Sequence, residues 1–80
     1  MKASFKDCVS AELRSLRAEH NLNQKDVANK ANVDVMTIVR YENNSTSMQL
    51  DMIEKILSVY GVETSIFFDN VSAKMQKNKE

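Results

Sequence analysis

Proline and tryptophan are absent from this chain of 80 residues, glycine, cysteine and histidine occur once each, and the formal charges cancel to zero. With Gly61 as the only glycine, the residues that close hairpins are missing, so helices joined by short polar turns are expected and a sheet is not. A lone Cys8 excludes an internal disulfide framework, and with only His20 to accompany it no metal cluster can be assembled. No stretch has the apolar length of a membrane span, and Met1 to Asp7 lacks the apolar run of a signal peptide. A cytoplasmic protein without a membrane partner is the expectation. Catalytic constellations are missing too: there is no glycine-rich phosphate loop, no nucleophile beside a base and no paired carboxylates in apolar surroundings. Neither enzymatic activity nor a cofactor, metal or small-molecule ligand is expected. The length allows one domain, residues 1–80, with one modest core.

What is present is helical periodicity. The first helix is expected from Phe5 to Glu19, with Ser4 as its cap, Asp7 in its first turn, and Val9, Leu13 and Leu16 at helical spacing. Asn23 is placed to cap a second helix, Gln24 to Ala31, and Asn32 to end it in the left-handed conformation that asparagine tolerates. Asp34 caps a third, Val35 to Asn43, which gives way to the polar run Asn43-Asn44-Ser45-Thr46-Ser47. A fourth is expected from Met48 to Tyr60, with Leu50, Ile53, Ile56, Leu57 and Tyr60 on its inner face and Gly61 behind it. A fifth runs from Thr64 to Met75, and residues 74–80 read as a fraying polar tail.

The second and third helices carry the strongest functional signal. Val27, Ala28, Ala31, Val33, Ile38 and Tyr41 stand where two steeply crossing helices must touch, and Ala28 is small where the backbones approach most closely. The unit reads as a helix-turn-helix, whose second helix enters the major groove of double-stranded DNA with its N-terminus leading. Val35, Met36, Thr37 and, one turn on, Arg40 then face base edges. Arg40 suits a bidentate contact to guanine, with a phosphate contact as the alternative; Val35 and Met36 suit thymine methyls, with a protein interface as the alternative. Asn23, Gln24 and Lys25, at the start of the supporting helix, are placed to hold a phosphate, and Asn43, Asn44 and Ser45 to approach the strand from the other side. Simple capping is the other reading of Asn23.

The zero net charge opposes DNA binding, because phosphate neutralisation by cations supplies most non-specific affinity. Its distribution softens the objection. Residues 1–30 hold Lys2, Lys6, Arg14, Arg17, Lys25 and Lys30 against Asp7, Glu12, Glu19 and Asp26, a small positive excess. A modest field of this kind predicts modest affinity per subunit, and hence a dimer. A second apolar line on the fourth helix, Met48, Met52 and Val59, together with Ile66, Phe67 and Phe68, supplies a candidate dimer surface, with one of the two phenylalanines reserved for the core. Two-fold pairing there sets the two reading helices ~34 Å apart.

These landmarks resemble the Cro/C1-type helix-turn-helix family, also called the XRE family, from about Val9 to Phe68. The register runs Leu13-Arg14-Ser15-Leu16-Arg17, Leu22-Asn23-Gln24, Val27-Ala28, Asn32-Val33, Ile38, Tyr41-Glu42-Asn43, Leu50, Ile53, Ile56 and Tyr60-Gly61-Val62. The resemblance implies an all-α, five-helix, lambda-repressor-like domain that binds operator DNA as a homodimer, and a structural salt bridge between Arg17 and Glu42. Asn32 and Asn44 stand where the family prefers glycine and Met48 where proline is common, and the loop from Asn43 to Gln49 lacks the cations that relatives often carry there. The size suits a small transcriptional regulator, a repressor of phage-Cro-like or restriction–modification controller type. An antitoxin, or another protein-interaction module on the same fold, is the competing expectation.

Overall fold

The computed structural model describes residues 4–77, which form five α-helices and no strand: α1 Phe5–Glu19, α2 Gln24–Ala31, α3 Val35–Asn43, α4 Leu50–Tyr60 and α5 Thr64–Lys77. Local chemistry sets most of the boundaries. Ser4 and Asp7 exchange hydrogen bonds in a capping box at the start of α1, and Asn23 and Asp26 do the same for α2. The Asp34 carboxylate accepts the Met36 N–H at 2.8 Å to open α3. Helices α2, α3 and α4 end on left-handed residues, Asn32 at φ 59°, Asn44 at φ 55° and Gly61 at φ 67°. Asn21, in the turn after α1, is a further left-handed asparagine, at φ 56°.

The core draws on every helix. Val9, Leu13 and Leu16 of α1 meet Val27 and Ala28 of α2, Ile38 and Tyr41 of α3, Ile53, Ile56, Leu57 and Tyr60 of α4, and Phe67 and Val71 of α5. The Cys8 thiol is buried with them, only 2% exposed. In the pairing of elements, α1 lies against α3 and α5, and α2 against α3 and α4. The third helix is thus gripped from two sides.

Three expectations change. Helix α4 begins at Leu50, not Met48, with Gln49 as its cap residue, and the Gln49 N–H is taken by the Tyr41 hydroxyl at 2.9 Å. Leu50 therefore sits on the first helical position, at the open end of the stripe set by Ile53, Ile56, Leu57 and Tyr60, and is 69% exposed. Phe67, expected at a dimer surface, is fully buried, because it lies one turn before Val71 on the inward stripe of α5. Finally, residues 74–77 of the expected tail continue α5: Lys74 Nζ lies 3.6 Å from the buried Glu12 carboxylate, and Met75 packs on the core. Residues 78–80 of the expected tail lie outside the described residues.

Candidate nucleic-acid interface

The turn between α2 and α3 is built from Asn32, Val33 and Asp34. Left-handed Asn32 reverses the chain, its N–H and that of Val33 return to carbonyls of α2 (Val33 to Ala28 at 3.0 Å), and Asp34 caps the next helix. Val33 tucks half-buried against the core, and Ala28 is 2% exposed. This is the tight two-helix unit expected from the small residue at that position.

The C-terminal end of α3 is held by α1. The last carbonyls of a helix lack intrahelical partners. Here the Arg40 carbonyl accepts from the N–H groups of Asn44 and Ser45, the Tyr41 carbonyl from the buried Ser10 hydroxyl at 2.6 Å, and the Glu42 carbonyl from the Arg14 guanidinium. The cations Arg14 and Arg17 also suit the negative end of the α3 dipole. Arg17 Nε donates to both carboxylate oxygens of Glu42, at 2.8 and 3.1 Å, and Glu42 is 3% exposed. That hydrogen bond holds the Arg17 guanidinium in its charged form, its pKa raised above the usual value. Tyr60 lies near the pair, its hydroxyl without a hydrogen-bond partner among the described residues. Burial, reinforced by the Glu42 charge, pushes its pKa up to about 12.

The opposite end of α3 is bare. Val35 is 37% exposed and Met36 46%, Thr37 is half-buried, and Arg40 is exposed with no carboxylate partner among the described residues. Lys25 and Asn23 are exposed at the start of α2, and Asn43 and Ser45 are exposed beyond α3. Two residues expected beside phosphates are drawn inward. Gln24 Nε2 donates to Glu42 Oε1 at 3.1 Å, which engages one of its two amide hydrogens and leaves the other. Asn44 is corrected from phosphate contact to clasp: its amide donates to Asp7 Oδ1 at 2.6 Å, tying the end of α3 to the start of α1 beside a negative charge. The Asn44 hydrogen bond, followed by those from Ser4, holds the Asp7 carboxyl below the usual carboxylate range.

Of the expected dimer residues, Ile66 is 52% exposed, while Met52, Val59 and Phe68 are half-buried against the core. Sequence reasoning missed Phe5 and Leu50. Phe5 stacks on Phe68 with ring centroids 6.0 Å apart, and with Leu50, Met48 and Ile53 the two rings line an open apolar groove of about 270 Å³. No local signal marked Leu50, since Gln49 occupies the cap position without a side-chain cap hydrogen bond.

Taken together, the capped turn, the clamped far end and the exposed leading turn define a helix-turn-helix domain. A family model described as helix-turn-helix matches residues 13–67. The chain belongs to that family, in its XRE-type branch. A phage relative, the cryptic phage CTXphi transcriptional repressor RstR of Vibrio cholerae, is 42% identical over 53 residues, which is 66% of this chain and 48% of the relative. The matched stretch thus spans about half of that relative's length. Among solved structures, the wild-type restriction–modification controller protein C.Esp1396I superposes with a TM-score of 0.86 at 26% identity, over 95% of this chain and 99% of that one. Its tetramer in complex with its natural 35 base-pair operator gives 0.85 at 25% identity, over 94% and 99%.

Proposed function

We propose that this protein is a sequence-specific, double-stranded DNA-binding transcriptional repressor of the cytoplasm, acting as a homodimer that occupies an operator and blocks access to it. Steric occupancy requires no catalytic group, so the chain acts without enzymatic chemistry. The observation that carries the reading is the asymmetry of α3: its far end is fixed by Ser10, Arg14 and Arg17, and its leading turn is presented to solvent. Val35, Met36, Thr37 and Arg40 face base edges, and Asn23, Gln24, Lys25, Asn43 and Ser45 hold the strands on either side. The repressor role of the phage relative and the operator-bound controller tetramer support the same reading.

Two copies pair through apolar side chains that a monomer leaves in water: Leu50 with Phe5 and Phe68 beside it, and Ile66, with Met52 and Val59 at the margin. Acids equal in number to the cations leave each subunit a modest electrostatic hold, with Lys25, Lys30 and Arg40 exposed on α2 and α3, and pairing multiplies it. Selection of bound duplexes from a random pool tests the proposal, with sedimentation counting subunits. An enriched two-fold-symmetric sequence bound by a dimer is the expected result. A pool that stays random in dilute salt overturns it. Leu50→Gln is expected to shift the dimer toward monomer while leaving monomer unfolding unchanged.

A further inference from the structure

The exposed large apolar side chains among the described residues fall into two kinds. Phe5 and Leu50 belong to the groove shared with Phe68, and Ile66 stands on the outer side of α5. Val35 and Met36 are adjacent residues on the first turn of α3, outside that groove's lining and at the part of the helix that leads into DNA. Their neighbourhood has few polar groups to offer. One Asp34 carboxylate oxygen accepts the Met36 N–H, the Asp34 carbonyl accepts the Thr37 N–H, and the first turn carries no acid. Arg40, one turn on, is the only cation of the helix.

On the floor of the major groove the only methyl is the one on C5 of a pyrimidine, in thymine or in 5-methylcytosine; apart from ring C–H edges, every other exposed group is a hydrogen-bond donor or acceptor. Two apolar side chains pressed against bare acceptors would strip water from them without replacement, which disfavours unmethylated sequences. We infer that the leading turn of α3 reads pyrimidine C5-methyl groups, Val35 and Met36 closing on the methyl while Arg40 takes the hydrogen-bonding or phosphate contact one turn away. This rests on the DNA-reading role above and adds the chemical group that is read. It also makes the protein sensitive to cytosine methylation of its site wherever the methyl lies under that turn.

The test uses the full chain and the duplex enriched from the random pool. Thymines are replaced one at a time by deoxyuridine, which removes the methyl and alters no hydrogen-bonding edge, and in a second arm each cytosine is replaced by 5-methylcytosine. The expected result is a position in each half-site where loss of the methyl weakens binding about fourfold, or where its addition to cytosine strengthens binding by a similar factor. Thymine is the source in the first case and methylated cytosine in the second. Val35→Thr, which loses one of two γ-methyls, and Met36→Gln, which loses its apolar tip, are near-isosteric and exposed; together they should diminish the discrimination between methylated and unmethylated duplex while leaving the fold unchanged. An enriched sequence whose affinity ignores every such replacement overturns the inference and leaves the DNA-binding role standing. Discrimination that is undiminished in Val35→Thr, Met36→Gln double-variant protein also overturns it. A pool without enrichment overturns both.

Discussion

The two ends of α3 differ in almost every physical respect. In its last turn Tyr41 and Glu42 are buried, each carbonyl from Arg40 to Glu42 accepts a hydrogen bond, and the Glu42 carboxylate is shared between Arg17 and Gln24. Its first turn exposes Val35 and Met36, and the only side chain fixed there is its own cap, Asp34. The proposed function puts position and stability at one end and recognition at the other, so stability and binding should respond to mutation in opposite orders.

The largest loss of stability is expected from Glu42→Ala. It strands the Arg17 guanidinium, 25% exposed, and releases Gln24, at a cost of about 3 kcal/mol seen as a fall in the urea midpoint. An unchanged midpoint would show that the clamp holds nothing. Ser10→Ala comes next. It leaves the buried Tyr41 carbonyl without its donor and should cost about 2 kcal/mol by the same measurement. Tyr60→Phe should reverse the sign and gain about 1 kcal/mol, because it removes a buried hydroxyl with no partner among the described residues. The same variant sharpens the pH dependence. Burial keeps the phenol protonated in the folded chain, so the unfolded chain gives up its proton first, and wild-type stability falls as pH rises from 10.0 toward about 12. That part of the alkaline loss should vanish in Tyr60→Phe. The smallest effect belongs to the bare end: Val35→Thr and Met36→Gln should move thermal unfolding by no more than about 0.5 kcal/mol, yet alter duplex preference most.

Much of the fold was readable in the chain because its determinants are local. Ser4, Asn23 and Asp34 cap the helices at which the sequence placed them, and Asn32 and Asn44 adopt the left-handed conformation anticipated for residues standing in for glycine. The periodic positions Val9, Leu13, Leu16, Ile53, Ile56 and Leu57 are all buried. What escaped depends on distant partners. Nothing local marks Ser10 as a buried donor to a carbonyl 31 positions away, or Glu12 as the partner of Asn70, 58 positions on. Periodicity likewise failed at the ends of helices: Leu50 has the spacing of a core residue but stands on the first position of α4, where one side has no preceding turn to pack under. Between Phe67 and Phe68 only the direction of α5 decides which is buried, and that direction is tertiary. Among the site residues, exposure on α3 followed from the helix-turn-helix pattern, whereas the inward pull on Gln24 and Asn44 came from Glu42 and Asp7, on other helices.

A thiol enclosed near the start of α1 gives the molecule a built-in clock. Because Cys8 is the only cysteine and is 2% exposed, a thiol-modifying reagent can reach it only when the surrounding helices part. The pace of its labelling, followed in the free chain and again with duplex present, times how often the scaffold behind the reading helix opens and by how much a bound operator slows it.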